Sequence, residues 1–260
     1  MNNLIHKTAI IDPSAKIGNN VEICPYSIIE ANTEIGDGCR IAYHALIAKG
    51  TKLGPKCQVF TSAVVGTIPQ DLKFQDEESY LYVGEGTIIR EFATLNRGTE
   101  EGGSITQVGN NCLLMAYSHV AHDCKLGNNV ILANGVNMAG HVTIEDNVGI
   151  SGLCVIHQFT RIGRFAYIGG GSRVPQDVPP FILTTGEPLK YLGLNVVGLK
   201  RKGFKLSQLS TIKAAYQFIY RSNLNLTQAV DAIKSELEQT EEIKEILDFI
   251  DKSDRGLIGR

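Results

Sequence analysis

Stepping through the chain six residues at a time from Ile11 lands on Ile17, Ile23, Ile29, Ile35, Ile41, Ile47, Leu53, Val59 and Val65. Every step is aliphatic. Two positions earlier in each hexad stand Ala9, Ala15, Val21, Ser27, Thr33, Cys39, Ala45, Thr51, Cys57 and Ala63, all small or β-branched. The pattern pauses after Gly66 and returns at Val83, Ile89 and Leu95. It then runs without a break from Val108 through Leu114, Val120, Leu126, Leu132, Met138, Ile144, Ile150, Ile156, Ile162 and Ile168 to Val174. Residues two apart on a strand share a face, so both members of each hexad point inward. The Gly-Asn, Gly-Asp and Asn-Gly pairs between them turn the chain. A period of six held in phase for so long predicts a parallel β-helix, with three hexads per triangular coil and coils about 5 Å apart. Each coil buries its inward row only against its neighbours, so stability accumulates with coil number.

Two segments leave the pattern, residues 67–82 and residues 99–105. Insertions in a solenoid loop outward, often beside a binding surface. After Val178 the code changes, and Pro179-Pro180 is read as the end of the solenoid. This divides the chain into 1–178 and 179–260. Leu206, Leu209, Ile212, Tyr216 and Ile219 form one stripe at helical spacing and predict a helix over 206–221. Thr227 and Thr240 are read as N-caps of two further helices, over 228–239 and 241–252. The expectation is a mainly β chain: a parallel β-helix whose last coil is capped by a C-terminal α-helical domain.

Composition narrows the function classes. The 260 residues carry a formal net charge of −2, which suits neither a nucleic-acid partner nor a polybasic membrane contact. The N-terminus, MNNLIHKTAI, lacks the basic and apolar regions of a signal peptide. No apolar run approaches the roughly 18 residues that span a bilayer, so no membrane insertion is expected. Five of the six Cys occupy the small companion position of the repeat. They are read as packing residues in a reducing cytoplasm rather than as metal ligands or disulfides.

The candidate chemistry lies in the histidines. His6 and His44 are isolated and are read as surface residues. His119, His122, His141 and His157 cluster. One coil is three hexads, so position 122 falls under 140 and 158. His141 is then one residue late and His157 one early, which stacks His122, His141 and His157 along one edge. Asp123 adjoins His122 and could orient its imidazole. Three readings stay open for this edge: a solvated polar ladder, a zinc site, or a general base in a cleft. Imidazole is the default base because it titrates near neutrality.

At these residues the chain resembles the bacterial UDP-N-acetylglucosamine O-acyltransferases, the cytoplasmic enzymes that begin lipid A synthesis. The segments that carry the likeness are SHVAHDCKLGNN (118–129), NMAGH (137–141), IHQF (156–159), PQDLKF (69–74), NRGT (96–99), QDVPP (176–180), GLKRKGF (198–204) and SDRGL (253–257). The repeat alone is shared by many acyl- and acetyltransferases, whereas the ordered set is specific and runs through essentially the whole chain. The resemblance implies a left-handed helix and a homotrimer with sites between subunits. It implies transfer of a 3-hydroxyacyl group from acyl carrier protein to the glucosamine 3-hydroxyl of UDP-N-acetylglucosamine, with no metal and no diffusible cofactor. It makes His122 the general base, Asp123 its orienting partner and the Gly140 N–H the oxyanion donor. It places Asp71, Lys73, His119, His141, His157, Gln158, Asn195 and Arg201 against the substrates. Gly170 falls where the family measures acyl length, and a glycine there implies a long chain; the competing reading is a turn glycine.

Two departures stand out. Val197 replaces a glutamate common in the family, which admits the 3-amino analogue of the sugar as acceptor. Lys202 replaces a second arginine and gives a less rigid phosphate contact. The sister N-acyltransferases carry an extra N-terminal domain, for which hexads starting by residue 9 leave no room. The alternative function is a zinc enzyme like the hexapeptide-repeat carbonic anhydrases, which share this kind of fold.

Overall fold

A computed structural model describes residues 3–259 of the chain. The hexads form a left-handed parallel β-helix with three sheets, of eleven, nine and eight strands, taken up in turn by successive hexads. The first sheet starts at Leu4–Ile5, the second at Ile10–Ile11 and the third at Lys16–Ile17. In regular coils the register is eighteen residues, as in Leu113 on Ile131 and Ile131 on Gly149. The aliphatic row from Ile23 to Val174 is buried throughout. All six cysteines are free and buried within or beside that row.

The turns repeat as strictly as the strands. Their second residue sits in the left-handed region, and it is often bulky: Tyr26, His44, Phe92, Tyr117, His141, Leu153 and Phe159 all have φ between 56° and 62°. Such residues tolerate positive φ poorly. The stacking of coils compensates in part, because equivalent rings in adjacent coils lie face to face, as with Tyr26 on His44 and Phe92 on Tyr117.

The insertions are shorter than the sequence suggests. Tyr80–Val83 is already a strand of the third sheet, paired with Thr51–Leu53, and Leu81 is fully buried. The first loop therefore covers 68–79. Likewise Ile105 opens the strand Ile105–Val108, so the second loop ends at Ser104. The pairing of Gln58 with Ile88 and of Ile88 with Leu113 accommodates both without a change of inward phase.

Pro179-Pro180 does not stop the stacking. Ile182–Thr185 adds a parallel strand above Tyr167–Ile168 in the first sheet, and Lys190–Leu194 pairs back on it antiparallel. This hairpin and the short helix α1 (Val196–Arg201) join the coils to α2 (Leu206–Arg221), α3 (Leu226–Glu236) and α4 (Glu241–Asp251). The α3 N-cap is Asn225, not Thr227. Asn225 accepts from the Gln228 N–H while the Gln228 side chain accepts from the Asn225 N–H, a capping box that starts the helix two residues early. Leu237 is extended and ends α3 before 239; α4 starts after Thr240 and ends one residue before Lys252. The tail is fixed by one buried hydroxyl and one half-buried ion pair. Tyr216 is fully buried and donates to the Pro180 carbonyl at 2.6 Å, and Arg164 pairs with Glu245 of α4. No helix among the described residues is long and apolar enough to cross a membrane.

Candidate active site

Both loops and the histidine cluster leave the solenoid at the same corner, where the second sheet turns into the third. The 68–79 loop departs there after Val64–Thr67. In the following coils the corner holds the 97–104 segment, then His122-Asp123, Gly140-His141 and His157-Gln158-Phe159.

Asp123 is the fixed point. It is 4% exposed, in the left-handed conformation, and its N–H donates to Thr106 Oγ1 at 2.8 Å. Thr99 donates to both carboxylate oxygens, from N–H to Oδ1 at 2.8 Å and from Oγ1 to Oδ2 at 2.7 Å. The second loop thus folds over the corner and closes it. Gly102 lies so near that a Cβ there would come within 2.0 Å of the Asp123 carboxyl carbon. Burial opposes the carboxylate, but the hydrogen bonds from His122 and Thr99 outweigh it and hold Asp123 below the usual range.

His122 Nδ1 donates to Asp123 Oδ2 at 2.7 Å. That bond fixes the tautomer and leaves Nε2 as the free basic nitrogen. The same bond is the main cause of a raised His122 pKa; burial opposes it, and Asp123, Asp71 and Glu101 add their charge. The imidazole lies against Gly140 of the next coil, where a Cβ would meet the ring at 2.6 Å. Gly140 is buried, and its N–H has no acceptor among the described residues.

His141 stands above Asp123 rather than above His122, since equal turn positions stack. Its Nε2 is 3.6 Å from Asp123 Oδ2, its ring meets His122 edge-on, and Phe159 stacks on it at 4.5 Å. His119 Nδ1 bonds Thr94 Oγ1 at 2.7 Å, and burial followed by the charge of His122 lowers its pKa. Asp71 and Lys73 line a cleft of about 460 Å³ between the two loops, with Lys73 3.4 Å from Glu101. His157 and Gln158 line a separate, mostly apolar cleft of about 490 Å³ on the outer face of the second sheet, with Val155 and Arg173. His157 therefore does not join the stack that the spacing suggests.

The comparisons with known proteins agree along the chain. The family described as "Udp N-acetylglucosamine O-acyltransferase; Domain 2" matches residues 177–258. The bacterial transferase hexapeptide family matches 14–49 and 105–140. An acyl-[acyl-carrier-protein]–UDP-N-acetylglucosamine O-acyltransferase of Janthinobacterium sp. is 47% identical over 98% of this chain and 99% of its own. The UDP-N-acetylglucosamine acyltransferase of Bacteroides fragilis superposes with a TM-score of 0.96 at 45% identity, covering 98% of this chain and all of that one. The LpxA structure from Acinetobacter baumannii gives 0.95 at 40% identity over 98% and 99%. The chain belongs to the UDP-N-acetylglucosamine O-acyltransferase family.

Seen as an acyltransferase of this family, the chain brings some candidate residues together and keeps others apart. Asn195 and Arg201 belong to the α1 end, at the corner between third and first sheets. Asn195 caps α1 by accepting from the Gly198 N–H, and its Nδ2 donates to the Phe165 carbonyl. Arg201 is exposed. Val197, at 62% exposure, stands beside them. Gly170 lies at the remaining corner, between first and second sheets, exposed, where a Cβ would meet the Gly152 carbonyl at 3.3 Å.

Sequence reasoning missed Thr99 and Gly102 as the cradle of Asp123, Thr94 behind His119 and Phe159 on His141. A signal for Thr99 was present: across the second insertion Thr94 pairs with His119, a register that carries Gly98, the residue before Thr99, up to Asp123.

Proposed function

We propose that this enzyme transfers a long (3R)-3-hydroxyacyl chain from acyl carrier protein to the glucosamine 3-position of UDP-N-acetylglucosamine, the first step of lipid A biosynthesis, in the cytoplasm. The observation that carries the reading is the 2.7 Å bond from His122 Nδ1 to the buried Asp123 carboxylate, beside the unpartnered N–H of Gly140. His122 Nε2 takes the proton of the sugar 3-hydroxyl as its oxygen attacks the thioester carbonyl. The tetrahedral oxyanion accepts from the Gly140 N–H. Collapse breaks the C–S bond, and the imidazolium returns the proton to the departing thiolate. Asp123 stabilises the imidazolium and holds its ring. Asp71, Lys73 and His119 hold the sugar beside the base. His141, His157, Gln158, Asn195 and Arg201 contact the rest of the nucleotide and the pantetheine.

The positions of these groups support a homotrimer. The residues assigned to one substrate pair occupy all three corners of the chain, so one complete site needs a neighbouring copy. The outer faces support the same assembly. The third sheet is polar outside, with Lys16 and Lys52 paired to Glu34. The first and second sheets expose Ile131 and Tyr167, and Ile10, Ile28 and Val155. Two different apolar faces per subunit suit a closed ring of heterologous contacts.

A second reading has an observation of its own. One donor atom each from His122, Asp123 and His141 lie within 4.8 Å of one another, a grouping that could hold zinc. Against it, both Asp123 oxygens already accept from Thr99, Oδ2 also from His122, and His157 lies outside the group.

The test is acyl transfer by the purified protein from 3-hydroxyacyl carrier proteins of several chain lengths. UDP-N-acetylglucosamine and its 3-amino analogue are offered in parallel, because Val197 removes a carboxylate near the nucleotide. Long-chain turnover that collapses in His122→Ala is expected. Absence of turnover with every pair, in a folded protein containing stoichiometric zinc, would establish the second reading instead.

A further inference from the structure

Residues Asn96 to Thr99 leave the second sheet directly beneath the histidine corner and touch both halves of the site. The first three hold the 68–79 loop. Asn96 is 2% exposed, and its Nδ2 donates to Thr67 Oγ1 at 3.1 Å and to the Ile68 carbonyl at 2.9 Å, where the loop departs. The Arg97 N–H donates to the Thr67 carbonyl at 3.0 Å. The Arg97 side chain runs on into the loop. Its guanidinium lies over the Phe74 ring at 5.5 Å, Nε donates to Ser79 Oγ at 3.2 Å, and Nη2 is 3.6 Å from Asp76 Oδ1. The Gly98 N–H donates to the Tyr80 carbonyl at 3.1 Å, where the loop returns. A Cβ on Gly98 would lie 2.3 Å from the Ile105 nitrogen, so no side chain fits there. Thr99 then reaches the other way, to both oxygens of Asp123.

Arg97 is 6% exposed. Taking a guanidinium out of water is costly unless the groups around it compensate. Here Phe74, Asp76 and Ser79, all from the loop, do so. The loop is also turned on itself, with the Lys73 N–H donating to Asp71 Oδ1 at 3.0 Å and the Phe74 N–H to the Asp71 carbonyl at 3.1 Å. Pinning Phe74 therefore carries Asp71 and Lys73 with it.

We infer that Asn96–Thr99 is a positioning device that sets the loop bearing Asp71 and Lys73 at a fixed distance from the His122–Asp123 pair, with Arg97 acting on the sugar-nucleotide side and Thr99 on the chemical step. The inference rests on the acyl-transfer reading above. Its parts are separable, because removing the guanidinium releases the loop and leaves both Thr99 bonds in place.

The test is steady-state kinetics of Arg97→Met, Arg97→Lys and Thr99→Val with UDP-N-acetylglucosamine and a long-chain 3-hydroxyacyl carrier protein. Arg97→Met raises KM for the sugar nucleotide about tenfold and changes kcat by less than about threefold. Arg97→Lys keeps the charge without the planar stack and falls between. Thr99→Val lowers kcat about tenfold and leaves KM within about threefold. Parallel changes of both parameters in both variants, or unchanged kinetics in Arg97→Met, overturn the inference. If Arg97→Met does not fold, hydrogen exchange of Arg97→Lys decides: faster exchange confined to 68–79 supports the device, and unchanged exchange refutes it. A wild-type protein without turnover would remove the acyl-transfer reading, while the exchange measurement would still report on the loop.

Discussion

Two corners of the β-helix carry a histidine at the same turn position, with nearly the same backbone. His44 has φ 56° and stacks on Tyr26 in the coil below; His141 has φ 61° and stacks with Phe159. Yet His44 is exposed and lies against an aromatic, whereas His141 is half-buried and 3.6 Å from a buried carboxylate. The repeat is the same at both corners. What differs is the insertion. At the second-to-third corner the 97–104 segment folds over the turn, buries Asp123 and satisfies its oxygens. At His44 the turn stays tight, and among the described residues no loop closes over it. A solenoid repeat thus supplies equivalent positions, and an interruption of the repeat buries one of them, Asp123, whose carboxylate gives the adjacent His122 a defined tautomer and a raised pKa.

The contrast breaks most sharply at the base. His122→Ala should cost about a thousandfold in kcat, with the thermal unfolding midpoint little changed, and His44→Ala should leave kcat within about twofold. Parallel assays of the two variants check this, and equal losses would remove the distinction between the corners. Next in size is Gly140→Ala. The added methyl must displace the His122 ring, and a shift of about 1 Å in a reacting group costs about a hundredfold in kcat. Normal turnover in that variant would mean that the ring is not held where it reacts.

Asp123→Asn sharpens the comparison through pH. The carboxylate is the main cause of the raised His122 pKa. A base acts when neutral, so kcat/KM falls as pH drops through that raised pKa, above the ordinary 6.5. In Asp123→Asn the imidazole becomes less basic, so the acid limb moves to lower pH while the plateau falls by about tenfold or more. A limb that stays in place or moves upward would show that Asp123 does not set the base. The same bond has a stability consequence. The His122 contribution is fully present below the unfolded pKa and is lost as pH rises through the folded one. The Asp123 contribution is lost as pH falls through its lowered pKa. The mildest effect belongs to the other corner. Gly170→Met should leave total activity on short chains intact and shift preference away from long ones, as read from a panel of acyl carrier substrates. Unchanged preference would return Gly170 to the role of a turn glycine.

Much of the fold was legible. The inward rows, the phase across both insertions and the packing role of the cysteines all follow from a period that no other architecture keeps. The misread ends share one cause, the weight given to polar or proline residues over burial. Tyr80–Tyr82 read as loop because polar residues precede them, although Leu81 occupies the companion position two before Val83. Pro179-Pro180 read as an end, although Ile182–Thr185 still finds an open strand to stack on. Thr227 read as a cap because the Asn225–Gln228 box was overlooked.

The candidate site was legible as a group of residue types and not as an arrangement. The spacing brought His122, His141 and His157 to one edge, but a one-residue offset decides which partner each ring meets. His141 went to Asp123, and His157 to a separate cleft. Whether a position exists, and which way it faces, is set by the period alone, because strand alternation and coil stacking are local rules repeated without change. Which carboxylate is buried and which imidazole it holds were decided by tertiary structure. Those outcomes depend on how two irregular loops fold back across the coils, and no periodicity in the sequence encodes that path.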